Sequence, residues 1–209
     1  MRKLFAVLLT EIRLLFPENR ERLKTVVASF IQAWEAYPRE RKFVAMVGYS
    51  KSGKNYWLEH DPVRVRFFQL SSDQIHVRLN TAFPWLNDDR TITGPAYWPR
   101  QWLTQKVRQA VLEAAFKHGL NVVNDSCNLV RSERSTRLQL AKRYGYQTEI
   151  VWIQCQEATL VERLQLADNA LRRSGKLAVW EDLYRRVQQP RFEEPGPEEA
   201  DSLLVRFSE

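Results

Sequence analysis

Eight consecutive residues, Gly48-Tyr49-Ser50-Lys51-Ser52-Gly53-Lys54-Asn55, follow directly on the apolar run Phe43-Val44-Ala45-Met46-Val47. Their spacing is that of the phosphate-binding loop G-x-x-x-x-G-K. Glycines let the backbone curl until successive N–H groups face a phosphate. A helix beginning behind the loop adds partial positive charge, and Lys54 is long enough to reach β and γ phosphates. Gly48, Ser50, Lys51, Ser52, Gly53, Lys54, Asn55 and Tyr56 are therefore the candidate phosphate-tail binders. Asn55 stands where the motif has a Ser or Thr whose hydroxyl holds Mg²⁺; its amide oxygen sits on a longer arm and must be oriented to do the same. The plain structural alternative is a glycine turn joining strand to helix.

Two carboxylates could work opposite such a loop. Asp73 lies in Ser71-Ser72-Asp73-Gln74-Ile75-His76, just past an apolar run. Ser71 and Gln74 have the spacing of a capping box, so Asp73 is not needed as the cap and can face a cleft, where it would orient a hydroxyl and accept its proton. As a purely structural residue it is an acid favourable to a first helical turn. Asp125, in Val122-Val123-Asn124-Asp125-Ser126-Cys127-Asn128, could hold Mg²⁺ through water or position a substrate, or could simply make a turn with Ser126. Asn128 and the nearby Arg131, Arg134 and Arg137 offer donors for an acceptor phosphate. Arg163 and the segment from Asp168 through Arg172 to Gly175 could form a lid that brings cations to a transferring phosphoryl group and keeps water out. Solvated helix arginines are the alternative there.

These residues need a frame. After the charged link Arg39-Glu40-Arg41-Lys42, short apolar runs alternate with longer amphipathic ones, the pattern of βαβ units and a parallel sheet. Strands are predicted at Phe43–Val47, Val65–Leu70, Asn121–Asn124, Thr148–Ile153 and Leu203–Phe207. Helices are predicted near 54–60, 72–80, 99–118, 131–144, 157–172 and 177–188, with a loop over 81–98. Each candidate carboxylate then follows a strand, at the edge where open parallel sheets bind ligands. Ahead of this, Leu4, Leu8, Ile12 and Leu15, then Leu23, Val26, Val27, Phe30, Ile31 and Trp34, recur at helical spacing on either side of Pro17 and predict a helical hairpin over 2–37.

At 209 residues, 44% hydrophobic and 27% charged, the chain has the makings of one α/β unit plus a small appendage, not of a disordered or fibrous protein. Net charge is +7. Residues 192–209 hold six acids against Arg206 alone, a net −5 that leaves +12 on residues 1–191. A basic body suits nucleic acid, but phosphorylated metabolites, an anionic membrane surface or solubility alone would use the same excess. Two distant cysteines and three scattered histidines form neither a disulfide framework nor a metal motif, which suggests a reduced, cytoplasmic setting. No run of apolar residues is long enough to span a membrane.

The order of phosphate loop, Ser-x-Asp after the second strand, N-D-S-C-N-L with Arg134 after the third, an arginine-bearing lid and Phe192-Glu193-Glu194-Pro195 resembles the phage-type polynucleotide 5′-kinase group, whose nearer relatives include zeta-toxin-like and small-molecule kinases. The resemblance spans roughly residues 43–207. It implies a three-layer α/β P-loop NTPase fold with a parallel five-stranded sheet in order 2-3-1-4-5, an N-terminal hairpin over 1–40, a kinase-like domain over 41–209 and a lid near 164–177. It implies ATP and Mg²⁺ as cofactors, Lys54 on the triphosphate, Asp73 as general base, Arg172 with Arg163 as lid arginines, Asn55 and Asp125 toward the metal, and Asp125, Asn128, His76 and Arg134 beside the acceptor. That acceptor would be a nucleic acid 5′ end. A kinase of a nucleoside, antibiotic or sugar nucleotide is the second expectation, and a non-catalytic ATP-binding interaction module with a degraded Mg²⁺ site is the third. Oligomeric state is not legible.

Overall fold

In a parallel sheet covered on both faces, a central strand must be apolar throughout, and Lys42–Val47 forms such a strand, β1, with every residue after Lys42 buried. The computed structural model describes residues 11, 13, 14, 16–31, 34–86, 96–174 and 176–208. β1 pairs in parallel with β3, Val122–Asp125, and with β4, Gln147–Cys155. β2, Phe68–Ser71, lies outside β3, and β5, Ser202–Ser208, outside β4. The order is β2-β3-β1-β4-β5 and all pairings are parallel, as the sequence predicts. Register sets Ser71 beside Asp125 and Val47 beside Trp152, so the turns after β1, β2 and β3 open on one edge.

Side chains of β1 alternate between two cores. Phe43, Ala45 and Val47 join Leu70, Ile75, Leu103, Val107, Phe116 and Leu138 on one face; Val44 and Met46 join Leu58, Phe67, Val151 and Ile153 on the other. The covering helices are α1, Pro17–Ile31; α2, Lys54–His60; α3, Ser72–Ala82; α4, Tyr97–Lys117; α5, Arg131–Arg143; α6, Glu157–Arg173; and the short α7, Trp180–Leu183, which runs on into a π-helical turn over Tyr184–Gln188.

Two boundaries move for visible reasons. The second strand begins at Phe68 rather than Val65, because the Asp61 carboxylate accepts from the N–H groups of Val63 and Arg64 at 3.0 and 2.7 Å and winds 64–66 into a 3₁₀ turn. Tyr97 and Trp98, placed in a loop by their neighbours Pro95 and Pro99, instead start α4, where Pro99 occupies the first turn that tolerates it. The second helix of the expected hairpin is α1. Its Val26 and Phe30, with Trp34 behind them, belong to the same core as Phe43 and Leu70. Most of the first helix of that hairpin, and Gly175 at the end of the expected lid, lie outside the described residues.

Candidate active site

The loop between β1 and α2 is shaped by positions that refuse a side chain. Gly48 has φ +148°, and a Cβ there would stand 2.8 Å from the carbonyl oxygen of Ile153. Gly53 has φ +98°, and a Cβ would stand 2.6 Å from Ser208 Oγ. Lys51 adopts φ +65°, an unusual conformation for a side-chain-bearing residue that turns the chain between them. The Gly48 N–H is anchored on the Cys127 carbonyl at 3.1 Å, and the Gln188 amide grips Ser50 twice, accepting from its N–H at 3.1 Å and donating to its Oγ at 2.7 Å. A helix cannot satisfy the amides of its own first turn. Those of Gly53, Lys54 and Asn55 take no acceptor among the described residues, so they are available to an anion. Lys54, almost entirely buried, donates to the carbonyls of Gly48 at 3.0 Å and Tyr49 at 2.6 Å, folded across the mouth of the loop.

Across a crevice of about 1440 Å³, lined among others by Lys54, Asn55, Asp73, Asp125 and Arg163, stand the two carboxylates. The capping box at α3 forms: Ser71 Oγ accepts from the Gln74 N–H at 3.1 Å and the Gln74 side chain accepts from the Ser71 N–H at 3.4 Å. With the cap supplied by Ser71, Asp73 is left exposed in the crevice. Asp125 ends β3. Burial holds its carboxyl above the usual range, against the pull of Lys54 and Arg108 and with the repulsion of Asp73, so Lys54, Asp73 and Arg108 all act on Asp125. Asn55 and Asp125 offer two oxygen donors beside the loop. Mg²⁺ that arrives on a triphosphate keeps its waters and takes only one or two protein ligands, and this donor pair fits that habit. No cluster of three or more acidic, His or Cys ligands occurs among the described residues.

Other expected residues are put to different uses. Arg134 is completely buried, forked onto the Glu199 carboxylate at 2.7 and 2.8 Å and onto the carbonyls of Asn128, Leu129 and Glu193, so its guanidinium holds the C-terminal segment to α5 and has nothing to offer an acceptor. Asn128, at φ +46°, spends its amide on Met46 O at 2.6 Å and on its own turn, and its Oδ1 accepts from Arg137 at 2.5 Å; it fastens the turn after β3 beneath β1. Arg172 is exposed, bonded to Asn169 at 2.8 Å, and does not line the crevice. Arg163 does: it donates to Ser208 Oγ at 2.8 Å, next to Gly53. His76 lines the crevice but stays neutral. Burial, then the charge of Arg100, lowers its pKa to about 4.

Two further side chains, Gln188 and Arg108, shape the site and carry no motif. Gln188 is the clamp on Ser50. Arg108, from the middle of α4, comes through to donate to Ser72 Oγ at 2.6 Å and to Gln105 Oε1 at 3.1 Å, and Arg137 reaches the same Gln105 oxygen at 2.8 Å. The signal for Arg108 is a charged residue at an inward helical position, between Thr104 and Val107 on one side and Val111 on the other; all four are buried.

A model of the AAA domain family matches residues 43–190, which takes in the loop, both carboxylates and the arginines of α4, α5 and α6. Among curated proteins none matches the sequence. Of the solved structures that resemble it, one comes from a characterisation of the PezAT chromosomal toxin–antitoxin system of Streptococcus pneumoniae, with a TM-score of 0.58 at 12% identity over 76% of this chain. The present chain spans 65% of that one. Another is a candidate kinase of Chloroflexus aurantiacus, with a TM-score of 0.55 at 16% identity, covering 79% of this chain and 84% of that one. At such identities the likeness is one of fold.

Proposed function

The chain belongs to the AAA domain family, and from that premise we propose that it is an ATP-dependent phosphotransferase whose acceptor is a hydroxyl, the 5′-hydroxyl of a polynucleotide. The observation that carries this reading is the meeting of an anion cradle and an uncommitted carboxylate in one crevice: free first-turn amides with Lys54 on one wall, Asp73 on the other.

In the reaction, the acceptor oxygen forms a bond to the γ-phosphorus while the bond to the bridging β–γ oxygen breaks, and ADP leaves. Asp73 orients the hydroxyl and takes its proton. The amides of Gly53, Lys54 and Asn55 hold the phosphate tail, and Lys54 exchanges the carbonyls of Gly48 and Tyr49 for phosphate oxygens. Asn55 and Asp125 are the residues that would hold Mg²⁺, which when bound offsets charge between β and γ phosphates. Arg163, beside Gly53, would meet charge developing on the transferred group; Arg172 would need movement of α6 to join it. The basic body, and Tyr97, Trp98 and Trp102 on the crevice wall, suit an acceptor with bases to stack and phosphates to neutralise.

The test incubates γ-labelled ATP and Mg²⁺ with 5′-hydroxyl DNA, 5′-hydroxyl RNA and a panel of nucleosides, using Lys54→Ala as control. Labelled polynucleotide from wild type alone is the expected result. Labelled nucleoside without polynucleotide would move the protein to the small-molecule kinases, and equal labelling by wild type and control would remove the kinase reading.

A further inference from the structure

The floor of the crevice on the Asp73 side carries cations with too few anions. Arg108 is 2% exposed and Arg137 9%. Both lean on one neutral acceptor, Gln105 Oε1, and Arg108 makes no ion pair among the described residues; Arg137 has Glu133 at 3.7 Å. Arg108 Nε is buried without a hydrogen-bond partner, and so are Arg100 Nε and His76 Nε2. All four side chains line the crevice that contains Asp73. A buried guanidinium left partly unbonded is costly, and a second one near enough to disfavour its charge makes it costlier: burial, then Arg137, brings Arg108 down to about 9. Folds retain such an arrangement where a ligand completes it.

Accordingly, we propose that Arg108, with Arg100 and Arg137, forms a second anion subsite that seats a phosphate of the acceptor and so presents the acceptor hydroxyl to Asp73. This rests on the phosphotransfer reading above and adds to it the group by which the acceptor is held: a phosphate carried by the hydroxyl compound, as on a polynucleotide, which a bare nucleoside or uncharged antibiotic lacks. A guanidinium fork matches a phosphate with paired donors. Ser72, whose Oγ already accepts from Arg108, ties the subsite to the residue next to Asp73. His76 adds a neutral ring nitrogen, not a charge.

The test fills the P-loop with the non-hydrolysable analogue AMP-PNP and titrates inorganic phosphate, following binding by ³¹P nuclear magnetic resonance and by the rise in melting temperature. Wild type is expected to take up phosphate in the presence of AMP-PNP, and Arg108→Gln to bind it about tenfold more weakly or worse, with AMP-PNP affinity unchanged. Arg108→Lys, which keeps the charge and loses the fork, should fall between them and serves if the glutamine variant does not fold. Absence of phosphate uptake by AMP-PNP-saturated wild type would overturn the subsite, as would uptake undiminished in both variants. Failure of AMP-PNP itself to bind would instead strike the nucleotide reading; phosphate uptake compared between wild type and Arg108→Gln, or Arg108→Lys, then still reports on the arginine pocket, and equal uptake by the two overturns the subsite too.

Discussion

At the scale of single residues, the site is decided by which polar groups the fold has already used. Arg134 and Asn128 sit in the right stretch of sequence and are spent on internal bonds, whereas Asp73 and the first-turn amides of α2 are not. Arg134→Met should therefore lower stability by about 3 kcal/mol, because it strands Glu199 beside a buried surface, while ATP affinity, read by titration of the folded fraction, stays as in wild type. Gly48→Ala should act in the opposite way. The added Cβ collides with the Ile153 carbonyl at a φ that L residues avoid, so nucleotide affinity should fall at least tenfold with only a modest change in melting temperature. His76 gives a pH signature. Its folded pKa of about 4 lies below the ordinary 6.5, so the unfolded chain binds the extra proton first, and stability present above pH 6.5 is lost as pH falls toward 4. Melting temperature should drop across that window, and His76→Gln should flatten the drop.

At the scale of elements, the capping box leaves the Asp73 carboxylate uncommitted, as its proposed role requires. Ser71→Ala removes the side-chain acceptor for the Gln74 N–H and should cost about 1 kcal/mol. It should also slow transfer more than it weakens ATP binding, since the first turn of α3 sets the carboxylate's position. The elements themselves were legible because short apolar runs alternate with longer amphipathic ones from β1 onward. The cap was legible for the same kind of reason: it depends on residues three apart. What escaped depends on distance in sequence. Gln188 reaches Ser50 from 138 residues away, and Arg108 meets Ser72 from 36 away. No local pattern announces either contact, and two of the arginines that the family resemblance singled out, Arg134 and Arg172, have their partners in Glu199 and Asn169.

At the scale of the whole molecule, the parallel order β2-β3-β1-β4-β5 brings the ends of β1, β2 and β3 to one edge, so the phosphate loop, Asp73 and Asp125 meet although 77 residues separate Gly48 from Asp125. The net charge of +12 on residues 1–191 adds a general attraction for a polyanion. The central claim is that this edge transfers phosphate by way of Asp73. Single-turnover transfer from ATP to a 5′-hydroxyl oligonucleotide, compared between wild type and Asp73→Asn alongside ATP titrations of both, tests it most directly. Loss of the base should reduce the rate on the order of 100-fold or more while ATP affinity is kept. Equal rates in the two proteins, or no transfer by wild type that binds ATP, would contradict it.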